Sequence, residues 1–135
     1  MGFLDRLKSW LTPRQLPEHL RRGAAGEVAA KHYLTDAGCT FLVANFAGPR
    51  GEIDLIFRDE DCLMFVEVKT RTAGGWTRPA EAVDQRKRLA LCRTAQLYWR
   101  KLKDPRVKYR YDIVEVLMAA DEVLEIRHLP NAFTE

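Results

Sequence analysis

The sequence predicts an α/β fold whose elements run in the order helix, three strands, helix, two strands. Three observations point to it. A length of 135 residues, with 47% hydrophobic and 30% charged, suits one globular domain with an ordinary core. Apolar residues recur at helical spacing in two long stretches, about 23 to 37 and 80 to 102. Short apolar runs bounded by Gly-Pro, Gly-Gly or acidic turn sequences lie between and after those stretches. No internal repeat or low-complexity segment interrupts the series.

Residues 1 to 20 read as a tail. Phe3, Leu7, Trp10 and Leu11 recur at helical spacing and Thr12-Pro13 stops the pattern, so residues 2 to 11 are expected to form a short amphipathic helix. Its apolar face needs a partner, either its own domain or another chain. Pro17 and Arg21-Arg22-Gly23 are expected to separate this tail from a single domain over 21 to 135. The first core helix runs from about Gly23 to Ala37 and ends at Gly38, a usual residue just past a helix C-terminus. Glu27 is the one acid on its apolar face with Ala30, Leu34 and Ala37, where it serves either a site or, in the first turn, the helix dipole.

Three strands are expected over Thr40 to Asn45, Glu52 to Arg58 and Leu63 to Thr70. Gly48-Pro49-Arg50-Gly51 marks the first connection, and Asp59-Glu60-Asp61 reads as a solvated hairpin tip. After a Gly74-Gly75 loop comes the long basic helix, then strands over Tyr109 to Met118 and Val123 to Arg127.

Net charge is only +3, but its distribution is uneven: from Arg86 to Arg110 there are ten Lys or Arg residues against one acid, Asp104. Such a local field attracts phosphates. Cys39, Cys62 and Cys92 are odd in number, widely spaced and in apolar surroundings, which excludes a zinc ribbon or disulfide framework and predicts buried free thiols in a reducing compartment. His19, His32 and His128 form no ligand spacing. With neither a signal-peptide core nor an apolar run near the roughly 18 residues of a membrane span, the chain is expected to be soluble, cytoplasmic and without a membrane partner. Met1-Gly2 is no acylation signal, because the sixth residue is Arg6 rather than Ser or Thr. Phosphate-loop, dinucleotide-turn, nucleophile-elbow and HExxH patterns are absent, which leaves ATP-driven, dinucleotide-dependent, esterase and zincin functions without support.

Charges inside apolar strands are costly without a task. Asp54 lies in Gly51-Glu52-Ile53-Asp54-Leu55-Ile56, and Glu67 and Lys69 lie in Phe65-Val66-Glu67-Val68-Lys69-Thr70-Arg71. Glu67 and Lys69 share one strand face. A hairpin loop with an even number of residues sets Asp54 opposite Glu67, and an odd one points them apart. Two adjacent carboxylates repel, but they suit a hard divalent cation, with magnesium the expected ion. Lys69 is then placed to hold an attacking water or to stabilise charge on phosphorus. Glu27 can add a carboxylate from the facing helix. Lys87 starts the stripe Leu91, Ala95, Tyr98 and Leu102 on the core-facing side of the long helix.

Gly26-Glu27, the two strand motifs, Pro79-Ala80-Glu81-Ala82-Val83 with Lys87, Tyr111-Asp112-Ile113-Val114 and Asn131-Ala132-Phe133 together resemble the YraN-like family of predicted endonucleases, over about residues 20 to 133. That family is placed among the PD-(D/E)XK nucleases and is similar to archaeal Holliday junction resolvases. The resemblance implies a restriction-endonuclease-like mixed central sheet flanked by helices. It implies Asp54, Glu67, the Val68 carbonyl and Glu27 as metal ligands for magnesium or manganese, and Lys69 as the catalytic lysine. Arg50, Arg71 and Lys87 become candidates for holding the nucleic-acid backbone. One departure is visible: members often carry a basic residue soon after the Asn of the first strand, whereas Phe46-Ala47-Gly48 follows Asn45 here.

The expected function is therefore a metal-dependent endonuclease hydrolysing DNA phosphodiester bonds, on branched or junction DNA by resemblance, where two active sites in a homodimer fit symmetric cutting. The competing reading is a nucleic-acid-binding or partner-docking module that keeps the fold without turnover. RNA cleavage would use the same ligands.

Overall fold

The computed structural model describes residues 18–73 and 84–135. The expected tail helix over 2 to 11, the Gly74-Gly75 loop, the Pro79 to Val83 motif and the expected start of the long helix at residue 80 lie outside the described residues. Within them the order is α1 (Glu18–Asp36), β1 (Thr40–Gly48), β2 (Gly51–Asp59), β3 (Cys62–Thr72), α2 (Gln85–Lys101), β4 (Lys108–Ala119) and β5 (Glu122–Phe133). This is the expected α-β-β-β-α-β-β series.

The strands form one mixed sheet in the order β1-β2-β3-β4-β5. The β1–β2, β2–β3 and β4–β5 pairs are antiparallel, and β3–β4 is parallel. A parallel pair needs a long crossover, and α2 lies within that connection. Alternation along the strands builds two cores, one on each face of the sheet. Met64, Val66, Val114 and Val116 pack with Ala30 and Leu34 of α1. Phe65, Tyr111 and Ile113 pack with Leu91, Cys92 and Ala95 of α2. The sheet is thus held between two helices, and among the described residues no helix is long and apolar enough to cross a membrane.

Several boundaries differ from expectation. Helix α1 begins at Glu18 rather than Gly23, so Arg21-Arg22-Gly23 is helical and the break expected there is absent. Its end is as expected: Gly38 adopts φ 97°, and the Cys39 N–H reaches the Leu34 carbonyl at 3.0 Å. Ala37 lies past the helix and is exposed. Leu102, assigned to the inner stripe of α2, is 41% exposed at its end. Of the thiols only Cys92 is buried; Cys39 and Cys62 are half-buried, and all three are free.

Strand β5 continues well past Arg127 to Phe133, through Pro130. Proline lacks the ladder donor and reads as a strand stop, but an edge strand tolerates it. The irregular pairing between Tyr111 and Ile113, with Asn131 at φ 51°, absorbs it.

Candidate active site

The geometry begins at the β2–β3 hairpin. Its turn is the two residues Glu60-Asp61, with Glu60 at φ 54°, and the ladder runs from Asp59↔Cys62 to Leu55↔Val66. The even loop is thereby realised, and Asp54 and Glu67 are the next residues on the two strands. Instead of continuing the ladder, the Asp54 carboxylate accepts a 2.8 Å hydrogen bond from the Val68 N–H. On the other side Asn45 stands across from Asp54, between the Ala44↔Leu55 and Phe46↔Ile53 pairs, at φ 54°. Asparagine adopts that conformation more readily than other residues with side chains. The expected hairpin tip is not wholly solvated, because Asp59 lies 3.5 Å from an Arg110 nitrogen.

Asp54, Glu67, Val68 and Lys69 line a cleft of about 540 Å³, together with Glu27 from α1 and Lys87 from α2. Glu27 lies well inside α1, since that helix starts at Glu18, so its place in the cleft replaces the helix-dipole reading. Close helix packing puts it there. A β-carbon built on Gly26 would overlap the Thr70 hydroxyl of β3 and come within 3.2 Å of Thr70 Cβ, so only glycine lets α1 lie this near the strand. From the other helix, Asp84 caps α2 by accepting the Lys87 N–H at 2.8 Å. That cap fixes where Lys87 leaves the helix, and its ammonium reaches Glu67 Oε1 at 2.5 Å.

The cleft brings three acids, Glu27, Asp54 and Glu67, together with four basic residues, Arg22, Lys69, Arg71 and Lys87. Asp54 keeps some surface in the cleft, yet burial pushes its carboxyl well above the ordinary value of 3.8, and Glu67 and Glu27 push it further. The Val68 N–H and Lys87 oppose this without reversing it. Lys69 is lowered by burial and by the neighbouring Lys87 ammonium, against the pull of Glu67. For Lys87 burial works downward, but the charge and hydrogen bond of Glu67 outweigh it and hold the ammonium above the ordinary lysine range.

The cleft tests whether these residues suit a divalent ion. A carboxylate raised by two like neighbours is a place where added positive charge is favourable, and oxygen donors match a hard cation. Among the described residues no group of three or more His, Cys, Asp or Glu side chains stands ready to enclose a metal. That is compatible with magnesium, which binds through one or two carboxylates and keeps several waters. The donor set fits.

Arg71, also expected to touch nucleic acid, lines the cleft, whereas Arg50 sits exposed in the β1–β2 turn and is not among the lining residues. Sequence spacing did not single out Arg22, which lines the cleft, or Glu115, wholly buried on β4 and bonded to Arg71. An acid inside the apolar run Ile113 to Met118 is the signal that could have found Glu115.

The family described as Uncharacterised protein family UPF0102 matches residues 26–116. A UPF0102 protein of Symbiobacterium thermophilum is 42% identical over 113 residues, covering 84% of this chain and 96% of that protein. One of Chlorobaculum parvum is 43% identical over 116 residues, covering 82% and 90%. One of Nocardia farcinica is 41% identical over 111 residues, covering 82% and 87%. The chain belongs to the UPF0102 family.

Proposed function

We propose that this UPF0102 protein is a metal-dependent endonuclease that hydrolyses DNA phosphodiester bonds. The observation that carries the reading is that Asp54, Glu67 and Glu27, from two strands and a helix, line one cleft with Lys69, where burial and the two other acids raise the Asp54 carboxyl. Asp54, Glu67 and the Val68 carbonyl would hold the magnesium, with Glu27 reaching it directly or through a bound water, and manganese could replace it. When bound, the ion supplies a Lewis acid for the phosphoryl oxygens and makes its water a better nucleophile. Lys69 would hold the attacking water for in-line displacement or stabilise the charge that grows on phosphorus. Arg71 and the basic face of α2 hold the phosphate backbone, giving salt-sensitive and largely sequence-independent binding. Branched or junction DNA is the proposed substrate, cut in the cytoplasm by a homodimer that brings two such clefts to one junction.

Purified protein is tested on single-stranded, duplex, flap and four-way DNA with several divalent ions. Magnesium-dependent cutting that Lys69→Ala loses supports the reading; cutting unchanged in that variant rules out the assigned site. The Lys87–Glu67 contact supports a second reading, a nucleic-acid-binding module in which a lysine of the chain itself satisfies the acid. Calorimetry separates the two. Heat of magnesium or manganese binding that vanishes in Glu67→Ala favours the enzyme, and absent metal binding with intact DNA affinity favours the module.

A further inference from the structure

Strands β3 and β4 run parallel with Lys69 beside Glu115, so these side chains leave the same face of the sheet. Glu115 is fully buried, and its Oε1 accepts a 3.1 Å hydrogen bond from Arg71 Nε. Its Oε2 is buried and has no hydrogen-bond partner among the described residues. A buried carboxylate is costly unless its charge is paired and its oxygens are satisfied. A guanidinium and a carboxylate joined only for stability would commonly form the two-bond fork. Here Glu115 takes Nε alone, which leaves the two terminal nitrogens of Arg71 outside the contact. The Arg71 side chain is 28% exposed and lines the cleft. Lys69 and Arg71 are two residues apart on one strand face, roughly 6.6 Å at the usual strand rise, which is close to the separation of successive phosphates along a nucleic-acid strand.

Resting on the nuclease reading above, we propose that Glu115 is a positioning residue: it holds Arg71 by Nε so that the remaining guanidinium N–H groups grip the phosphodiester next to the one beside Lys69. The substrate must then carry a charged phosphate at that adjacent linkage. A guanidinium fixed at one nitrogen presents the others in a set plane that matches two phosphate oxygens, whereas an ammonium on a flexible stem does not.

The test uses the full chain and the DNA it cuts best, with a single uncharged methylphosphonate placed at one linkage at a time around the cut. In the wild type, neutralising the adjacent linkage lowers kcat/KM by roughly tenfold or more. Glu115→Gln and Arg71→Lys lose a similar factor on normal DNA, mostly through KM, and the methylphosphonate then adds no further loss. Fluorescence anisotropy with the same oligonucleotides in EDTA reads the matching factor in Kd without turnover. Thermal melting reports whether Glu115→Gln folds; if it does not, Arg71→Lys, which keeps the charge but offers no guanidinium, decides the matter. Wild-type discrimination in Arg71→Lys or in folded Glu115→Gln, or losses that multiply, overturns the proposal. If the wild type cuts nothing, the nuclease reading fails instead, and the anisotropy arm still shows whether Glu115 and Arg71 hold a phosphate.

Discussion

Asp54 and Asp112 are both aspartates set in apolar strands, and the sheet treats them in opposite ways. Asp112, wholly buried on β4, is saturated with donors. Arg110 Nε and the Asn131 N–H each reach Oδ1 at 3.0 Å, and His128 Nε2 lies 2.7 Å from Oδ2. Burial pushes its carboxyl up, but the His128, Asn131 and Arg110 contacts outweigh burial and hold it below the ordinary 3.8. Asp54 receives one backbone N–H and faces two other carboxylates, so its carboxyl is driven the other way. The difference separates an acid that the fold surrounds with donors from one that it sets among other acids. The bulge in β5 that admits Pro130 also turns the Asn131 N–H onto Asp112, so a feature that looks like a strand defect serves the satisfied acid.

Asparagine substitutions break the comparison most sharply. Asp112→Asn is expected to cost about 2–3 kcal/mol of stability, because it removes the buried charge to which the half-buried Arg110 and the His128 ring are bonded; urea unfolding measures it, and a loss under about 1 kcal/mol contradicts the structural role. Asp54→Asn is expected to lower metal-dependent cleavage by roughly 10²–10³-fold, while the metal-free protein melts no lower than wild type because a repelled charge has been removed. A large drop in its metal-free melting temperature would show that Asp54 is as structural as Asp112.

A smaller effect is expected where the helix meets the strand. Gly26→Ala should cost about 1–3 kcal/mol by overpacking against Thr70, and should also weaken metal binding by shifting Glu27. Thr70→Ala in the same chain should restore much of both, as read by melting and calorimetry; no rescue would remove close packing as the reason for the glycine.

The smallest effects are in pH dependence, and the two acids carry opposite signs. The folded carboxyl of Asp112 lies below 3.8, so its stabilisation is fully present above that value and is lost as pH falls through the lower folded one. The folded carboxyl of Asp54 lies above 3.8, so the folded state binds the extra proton, and stability declines as pH rises from 3.8 toward the raised value. Metal-free urea unfolding across this range should show the acid-side loss flattened in Asp112→Asn and the decline flattened in Asp54→Asn. The same slope change in both variants would contradict the assignment.

Much of this was legible in the sequence. Strand alternation was enough to place Glu67 and Lys69 on one face, and helical periodicity placed Glu27 and Lys87 on inner faces. These are local regularities with fixed periods, so residue type and spacing carry them. The family resemblance added the roles as expectations, and UPF0102 membership bears out the family alone. The true start of α1 was not legible, because Arg21 and Arg22 are good helix formers whose basic cluster reads equally well as a linker.

What the sequence determined by itself was the element order, the apolar faces and the identity of the acids that apolar strands do not bury without cause. Tertiary structure alone decided the even hairpin register, the approach of Gly26 to Thr70, the reach of Lys87 to Glu67 and the pairing of Arg71 with Glu115, 44 positions away. The physical reason is range. Periodicity is a property of neighbouring residues, whereas whether a buried carboxylate is satisfied or starved depends on donors that only the folded chain brings within hydrogen-bonding distance.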